Sequence, residues 1–199
     1  MTLPSILTIT AAAIALACLS QCSPHPTNAG SQYLSGYRSG QQGPAGHNPQ
    51  GYWDGDGVEG PAKIKIVRSE QKAYFYRGDR LVGMSPISSG DVTHRTPAGR
   101  YKVTQKSKDH ASSLYGVIKN RETGEVINKD ADTRKHRAGP GEVFVHAPMP
   151  NFLRFNGAIG MHTGFLPGYP ASHGCVRLPD FMARKFFENS KLGTPVIVE

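Results

Sequence analysis

The stretch 171-ASHGCVRLPD-180 decides how this chain is read. It holds Cys175, with His173 two residues before it and Arg177 two residues after it. On an extended strand, residues 173, 175 and 177 share one face, because side chains alternate with period two. The remaining cysteines, Cys18 and Cys22, lie in an apolar leader. A single thiol in the folded part of a chain that carries export signals needs a reason, because an oxidising compartment pairs or consumes thiols.

Export is read from the N-terminus. Residues 1–37 contain no Asp, Glu, Lys or Arg, and 6–19 is almost wholly apolar. That run is short for a bilayer span but suits the apolar region of a secretory signal, although the usual positive residues before it are missing. Leu19-Ser20-Gln21-Cys22 resembles a lipoprotein processing site, with Gln21 where a small residue is usual. Ala15-Leu16-Ala17 offers a cut before Cys18 instead. Lipid attachment at Cys22 or Cys18 therefore competes with a plain filler role for both cysteines. The expected location is the periplasm or cell envelope, with membrane contact only through the leader or a lipid.

Three segments follow from composition: a leader at 1–22, a Gly/Pro/Gln-rich flexible tether at 23–57, and one domain at 58–199. The formal net charge is +8. Arg38, Asp54 and Asp56 are the charged residues before 58, so the domain carries 22 Lys/Arg against 13 Asp/Glu. The cations are scattered, with no helical basic stripe, which argues against a nucleic-acid partner and favours an anionic envelope polymer.

Within the domain, short β-type segments alternate with turn residues. AKIKIVRS (62–69) has period two, and QKAYFYRGDRLVGMSPIS (71–88) reads as a hairpin turning at Arg77-Gly78-Asp79. That tripeptide also spells an adhesion motif, which the two flanking strands explain without adhesion. TPAGRYKV (96–103) opens a further strand. Residues 106–142 are polar, hold several short strand candidates, and are long for a plain connection, so a functional lid is expected there. EVFVHAPM and GAIGMHTGF resume the strand pattern. One helix is expected, capped by Asp180, with FMARKFFEN as its body and Leu192-Gly193 as its close. TPVIVE is a last strand. The chain thus reads as mainly β, with one substantial helix after the cysteine.

Three roles compete for Cys175: inert burial, metal ligation and nucleophilic catalysis. An ordinary thiol is only a few per cent thiolate near neutral pH, so a nucleophile needs a base. His173 shares its face, and His162 could reach it from an adjacent strand. Gly174 permits close backbone approach by a substrate, and N–H groups at 173–175 could receive a tetrahedral oxyanion. Arg177 can grip a carboxylate through two parallel contacts. Zinc would need His162, His173 and Cys175 with His146 or water, a set without the usual ligand spacing. His94, His110 and His136 lie in polar stretches and are expected at the surface. Acyl transfer onto a thiolate, with no metal, is the best mechanistic reading.

The longer run HTGFLPGYPASHGCVRLPD (162–180) resembles the active-site signature of the L,D-transpeptidases, the YkuD-like catalytic domain of bacterial envelopes. That signature passes from an upstream His to a Ser/Thr-His-Gly-Cys core and a following Arg or Asn. The early hairpin, the TPAGRY turn and the GTPVIV strand look like further landmarks, so the resemblance covers roughly 62–199. It implies a β-sandwich-like fold with the cysteine under a mobile flap. Cys175 would be the nucleophile, His162 its base, and the carbonyl of Thr163 the group orienting His162. His173 and Gly174 would shape the oxyanion site, with Ser172 and Arg177 binding substrate. The implied partner is a peptidoglycan stem tetrapeptide, cut at the carbonyl of its third residue to release D-Ala and form a thioester. A second stem amine, an envelope protein or a free D-amino acid would resolve it, with no cofactor. Water as acceptor would make an L,D-carboxypeptidase, and loss of catalysis would leave an envelope-binding protein. The signature departs from many members in placing Thr163 before Gly164.

Overall fold

The computed structural model describes residues 51–199. Cys18, Cys22, the leader and most of the tether fall outside them. Two mixed sheets and one helix form the domain. The first sheet comprises β1 (Tyr52–Trp53), β2 (Ala62–Val67), β3 (Lys72–Arg77), β4 (Arg80–Pro86), β5 (Gly99–Lys102) and β11 (Pro195–Val198), in the order β1-β4-β3-β2-β11-β5. The second comprises β6 (Gln105–Asn120), β7 (Val126–Asp132), β8 (Glu142–Asn156), β9 (Ile159–Thr163) and β10 (Val176–Leu178), in the order β10-β9-β8-β6-β7. The mainly-β architecture with one helix, α1 (Asp180–Asn189), matches the sequence expectation.

The period-two segments explain the layers. Ile64, Ile66, Phe75 and Val82 from the first sheet meet Leu153, Phe155, Met161, Val176 and Leu178 from the second. Met182 and Phe186 of α1 close the same core, and Trp53 packs edge-on to Phe75 at 5.2 Å. Each such fully buried large side chain stabilises the fold by about 1.5–3 kcal/mol. The alternate residues of β8, β9 and β10 face the other way, and the site is built there.

Four sequence expectations need correction. Tyr52 pairs with Met84 and Trp53 with Gly83, so the domain begins before the 57/58 boundary. Residues 106–142 are no irregular lid: 105–120 and 126–132 form a paired hairpin, its polar side chains being those of solvent-facing strands rather than of a loop. Pro179, with no side-chain cap bond, precedes α1, and Asp180 is its first residue. The helix stops at Asn189 with Ser190 as C-cap, so Leu192-Gly193 belongs to the turn into β11. The Arg77-Gly78-Asp79 hairpin forms as read. Arg77 turns inward to donate to Asn189 Oδ1 at 2.7 Å, which withdraws it from display.

Candidate active site

The catalytic face is set by strand register. β10 runs parallel to β9, pairing Val176 with Met161 and Arg177 with His162. β8 runs antiparallel to β9, pairing Leu153 with Met161 and Arg154 with Gly160. Since Met161, Leu153 and Val176 point into the core, their neighbours point out of it. Two adjacent rows result: Gln105, Arg154, Gly160 and Cys175 in one, and Ser107, Phe152, His162 and Arg177 in the other. Cys175 is the residue just before β10, and carrying the β9–β10 register back by one sets it beside Gly160, next to the row of His162, 13 residues upstream.

The thiol is half-buried and outside any disulfide. Burial pushes its pKa up, and the nearby Gly160 main chain, with the Arg177 and Arg154 cations, pulls the other way. His162 is buried, and burial holds its pKa down at about 4. Its Nδ1 lies 2.8 Å from the Thr163 carbonyl oxygen. A carbonyl only accepts, so Nδ1 carries the proton and Nε2 presents a lone pair. Nε2 has no hydrogen-bond partner among the described residues. These directions leave a neutral thiol and a neutral imidazole whose lone pair is on Nε2.

Residues that the sequence does not single out hold this arrangement. Asn151 sits in β8 with φ 58, a left-handed conformation that costs a non-glycine residue about 1–3 kcal/mol. Its Nδ2 donates to Thr163 Oγ1 at 3.1 Å, and that hydroxyl donates to Asp180 Oδ1 at 3.2 Å. The peptide whose carbonyl aims His162 is therefore tied to β8 and to the first residue of α1. Thr96 Oγ1, also buried, accepts from Gly90 N–H at 2.9 Å and donates to Gly174 O at 2.8 Å, fixing the loop before Cys175. No local motif marks Asn151 or Thr96, because their partners are distant in sequence.

The loop residues divide in role. Ser172, expected to contact substrate, is buried, donates to Cys175 O and accepts from Gly174 N–H at 3.1 Å. Its hydroxyl closes the turn instead. Gly174 has φ +108, which a side chain would strain, so glycine is required by the backbone as well as by substrate approach. Its N–H is engaged by Ser172, which leaves His173 and Cys175 N–H as the oxyanion candidates. Arg177 is 4% exposed and donates to Ala171 O at 3.1 Å, with its stem under Gly164.

The β6–β7 hairpin reaches the loop through His173. Tyr115 stacks on the His173 ring at 4.3 Å and 10°, His94 meets it edge-on at 4.8 Å, and Asp130 Oδ1 is 3.9 Å from its Nε2. Burial lowers the His173 pKa, partly offset by Asp130. The Arg134 guanidinium, clamped on Asp132, donates to Tyr115 Oη at 3.2 Å. Tyr115 gains this reach because residues 112–115 leave the β6–β8 ladder, with Ser112 Oγ accepting the Leu114 and Tyr115 N–H groups.

His94 is exposed as expected, while its ring also meets His173; His110 is only partly exposed. His110 stacks on Phe152 at 4.1 Å, is held low by burial, and contributes to the field at His162. His136 accepts the Asp132 N–H through Nδ1 at 3.1 Å, closing the turn after β7. Among the described residues no group of three or more His, Cys, Asp or Glu converges as a metal set, so His146 does not join His162, His173 and Cys175.

A lone half-buried thiol, an imidazole with an open Nε2 and a glycine-bearing loop define a cysteine–histidine site on a two-sheet β scaffold. The family model of the YkuD L,D-transpeptidase catalytic domain matches residues 61–198. This chain belongs to that family. Similar solved structures include an Enterococcus faecium L,D-transpeptidase C442S mutant, 21% identical, TM-score 0.51, covering 71% of this chain and 50% of that one. An L,D-transpeptidase from Stackebrandtia nassauensis is 19% identical, TM-score 0.50, covering 71% and 57%. One from Xylanimonas cellulosilytica is 20% identical, TM-score 0.51, covering 72% and 62%. These likenesses show the fold, and this chain spans about half to three-fifths of those chains. No curated protein matches.

Proposed function

We propose that this domain is a cysteine acyltransferase of the L,D-transpeptidase type acting outside the cytoplasm on peptidoglycan stem peptides. One observation carries the reading: Cys175 immediately precedes β10, whose neighbour β9 bears His162 with an open Nε2 and a tautomer held by Thr163 O. Cys175 Sγ attacks the carbonyl of the third stem residue while His162 Nε2 takes the thiol proton. The oxyanion faces N–H groups of the 173–175 loop, where each donor is typically worth a few kcal/mol. Collapse breaks the peptide bond, and the imidazolium returns its proton to the departing D-Ala amine. The thioester left on Cys175 is then attacked by an acceptor amine, whose proton His162 takes and returns to the leaving thiolate. The sequence needs no metal or organic cofactor.

Intact-protein mass spectrometry after mixing the protein with a disaccharide-tetrapeptide tests this, with Cys175→Ala as control. A Cys175-dependent adduct with loss of D-Ala is expected, followed by dimeric muropeptide. Tripeptide alone would make water the acceptor and the enzyme an L,D-carboxypeptidase. A folded protein with a reactive thiol that forms neither adduct nor product would overturn acyl transfer and leave an envelope-binding role.

A further inference from the structure

Arg154 stands in the same cross-strand row as Cys175, separated from it only by Gly160. The Phe152 ring lies over Gly160, where a Cβ would stand 2.5 Å from it, so no side chain of β9 comes between Arg154 and Cys175. Two strand spacings, about 10 Å, separate the backbones of Arg154 and Cys175. A bound peptide's reacting residue and its neighbours cover that span.

The guanidinium is held in place rather than waving in solvent. Nε donates to Gln105 Oε1 at 2.7 Å, Nη1 to Gly157 O at 3.0 Å, and the group lies 5.3 Å from the Phe152 ring centroid. Among the described residues no carboxylate pairs with it, and its Nη2 makes no hydrogen bond. Its charge is one of the two cationic influences on the Cys175 thiol. The other, Arg177, is buried and already donates to a main-chain carbonyl. A guanidinium held this way, with Nη2 left to donate, has the chemistry of a carboxylate receptor.

We propose that Arg154 binds a carboxylate of the stem peptide in the acyl-donor pocket and so fixes which carbonyl meets Cys175. This rests on the acyl-donor reading above, and binding separates the two. In the full-length Cys175→Ala protein, chemistry is silent and the Kd of a tetrapeptide reads recognition alone. Stem peptides with each carboxylate amidated singly, including the terminal D-Ala and the diamino-acid side chain, identify the group held.

Arg154→Gln should weaken binding of the unmodified peptide about tenfold or more, as should amidation of the contacted carboxylate, with little further loss when both are combined. Arg154→Lys should retain part of the affinity. Unchanged binding by Arg154→Gln, or equal weakening for every amidated peptide, would overturn the proposal. So would a Cys175→Ala protein that binds no stem peptide. Recognition with Arg154-dependent discrimination but no adduct in the Cys175-bearing protein would instead retain Arg154 and remove the acyl-transfer reading.

Discussion

Burial of His162 makes a quantitative claim about acid stability. Its ordinary value is 6.5, and burial holds it at about 4 in the folded domain. The unfolded chain therefore binds the extra proton first, and folding loses stability as pH falls from about 6.5 toward 4. The lowered value corresponds to a full contribution of about 3 kcal/mol, of which about 2 kcal/mol is lost by pH 5. His162→Gln has no such proton to exclude. Wild type and variant share every other acid-sensitive group, so the difference in their Tm between pH 7.5 and 5 isolates this residue. Wild type should lose about 4–8 °C more than His162→Gln over that interval. Scanning calorimetry at matched ionic strength reads it. Equal slopes would refute the buried neutral imidazole. A wild type that gains stability relative to the variant on acidification would mean a resting thiolate–imidazolium pair, with the opposite sign of linkage.

Thr163→Val keeps the β-branched shape but removes the hydroxyl that joins Asn151 to Asp180. It should cost about 1–3 kcal/mol of stability and lower the acylation rate per folded molecule with little change in peptide affinity, while Thr163→Ser should restore both. An unchanged acylation rate in Thr163→Val would show that the carbonyl needs no such lock. Gly160→Ala would set a Cβ against the buried Phe152, whose ring centroid lies 6.2 Å from that of His162. It should destabilise by about 1–3 kcal/mol and reduce adduct formation beyond what the loss of folded protein explains, as mass spectrometry beside a melting curve would read.

The legible part of the site was its contiguous part. The strand pattern of 157–165 put His162 on the strand beside β10, whereas residues 173–175, read as one strand face with 177, form the loop before β10 with Gly174 at φ +108. What stayed hidden depends on register between distant segments. Asn151 meets Thr163 only because β8 and β9 pair as they do, and Arg154 faces Cys175 only across a strand that lies between them. His110 looked like a surface residue because its neighbours are polar, yet β6 lays it on Phe152. The same polarity disguised 106–142 as a lid, since a long hairpin at a sheet edge exposes much of its length and so lacks a buried stripe. Ser172 was assigned to substrate from its place beside the motif, and only the turn geometry gives its hydroxyl to Cys175 O and Gly174 N–H.

The division of β8, β9 and β10 into two faces explains how so small a domain holds a buried imidazole near a half-buried thiol. Leu153, Phe155, Met161, Val176 and Leu178 lock the strands from the core side. That packing fixes the register, and with it the positions of Arg154, Gly160, His162 and Cys175 on the opposite side. A slip of one residue would send these side chains to the wrong face, so the apolar core selects the arrangement of the candidate site as it selects the fold. Thr163 marks the junction: its side chain is bonded on the core side to Asn151 and Asp180, while its carbonyl accepts the proton of His162 on the other. Rigidity at that one peptide therefore holds the His162 ring directly. The hairpin bearing Tyr115 and Asp130 meets the loop through contacts to His173, a lighter attachment than the core-locked strands beneath it.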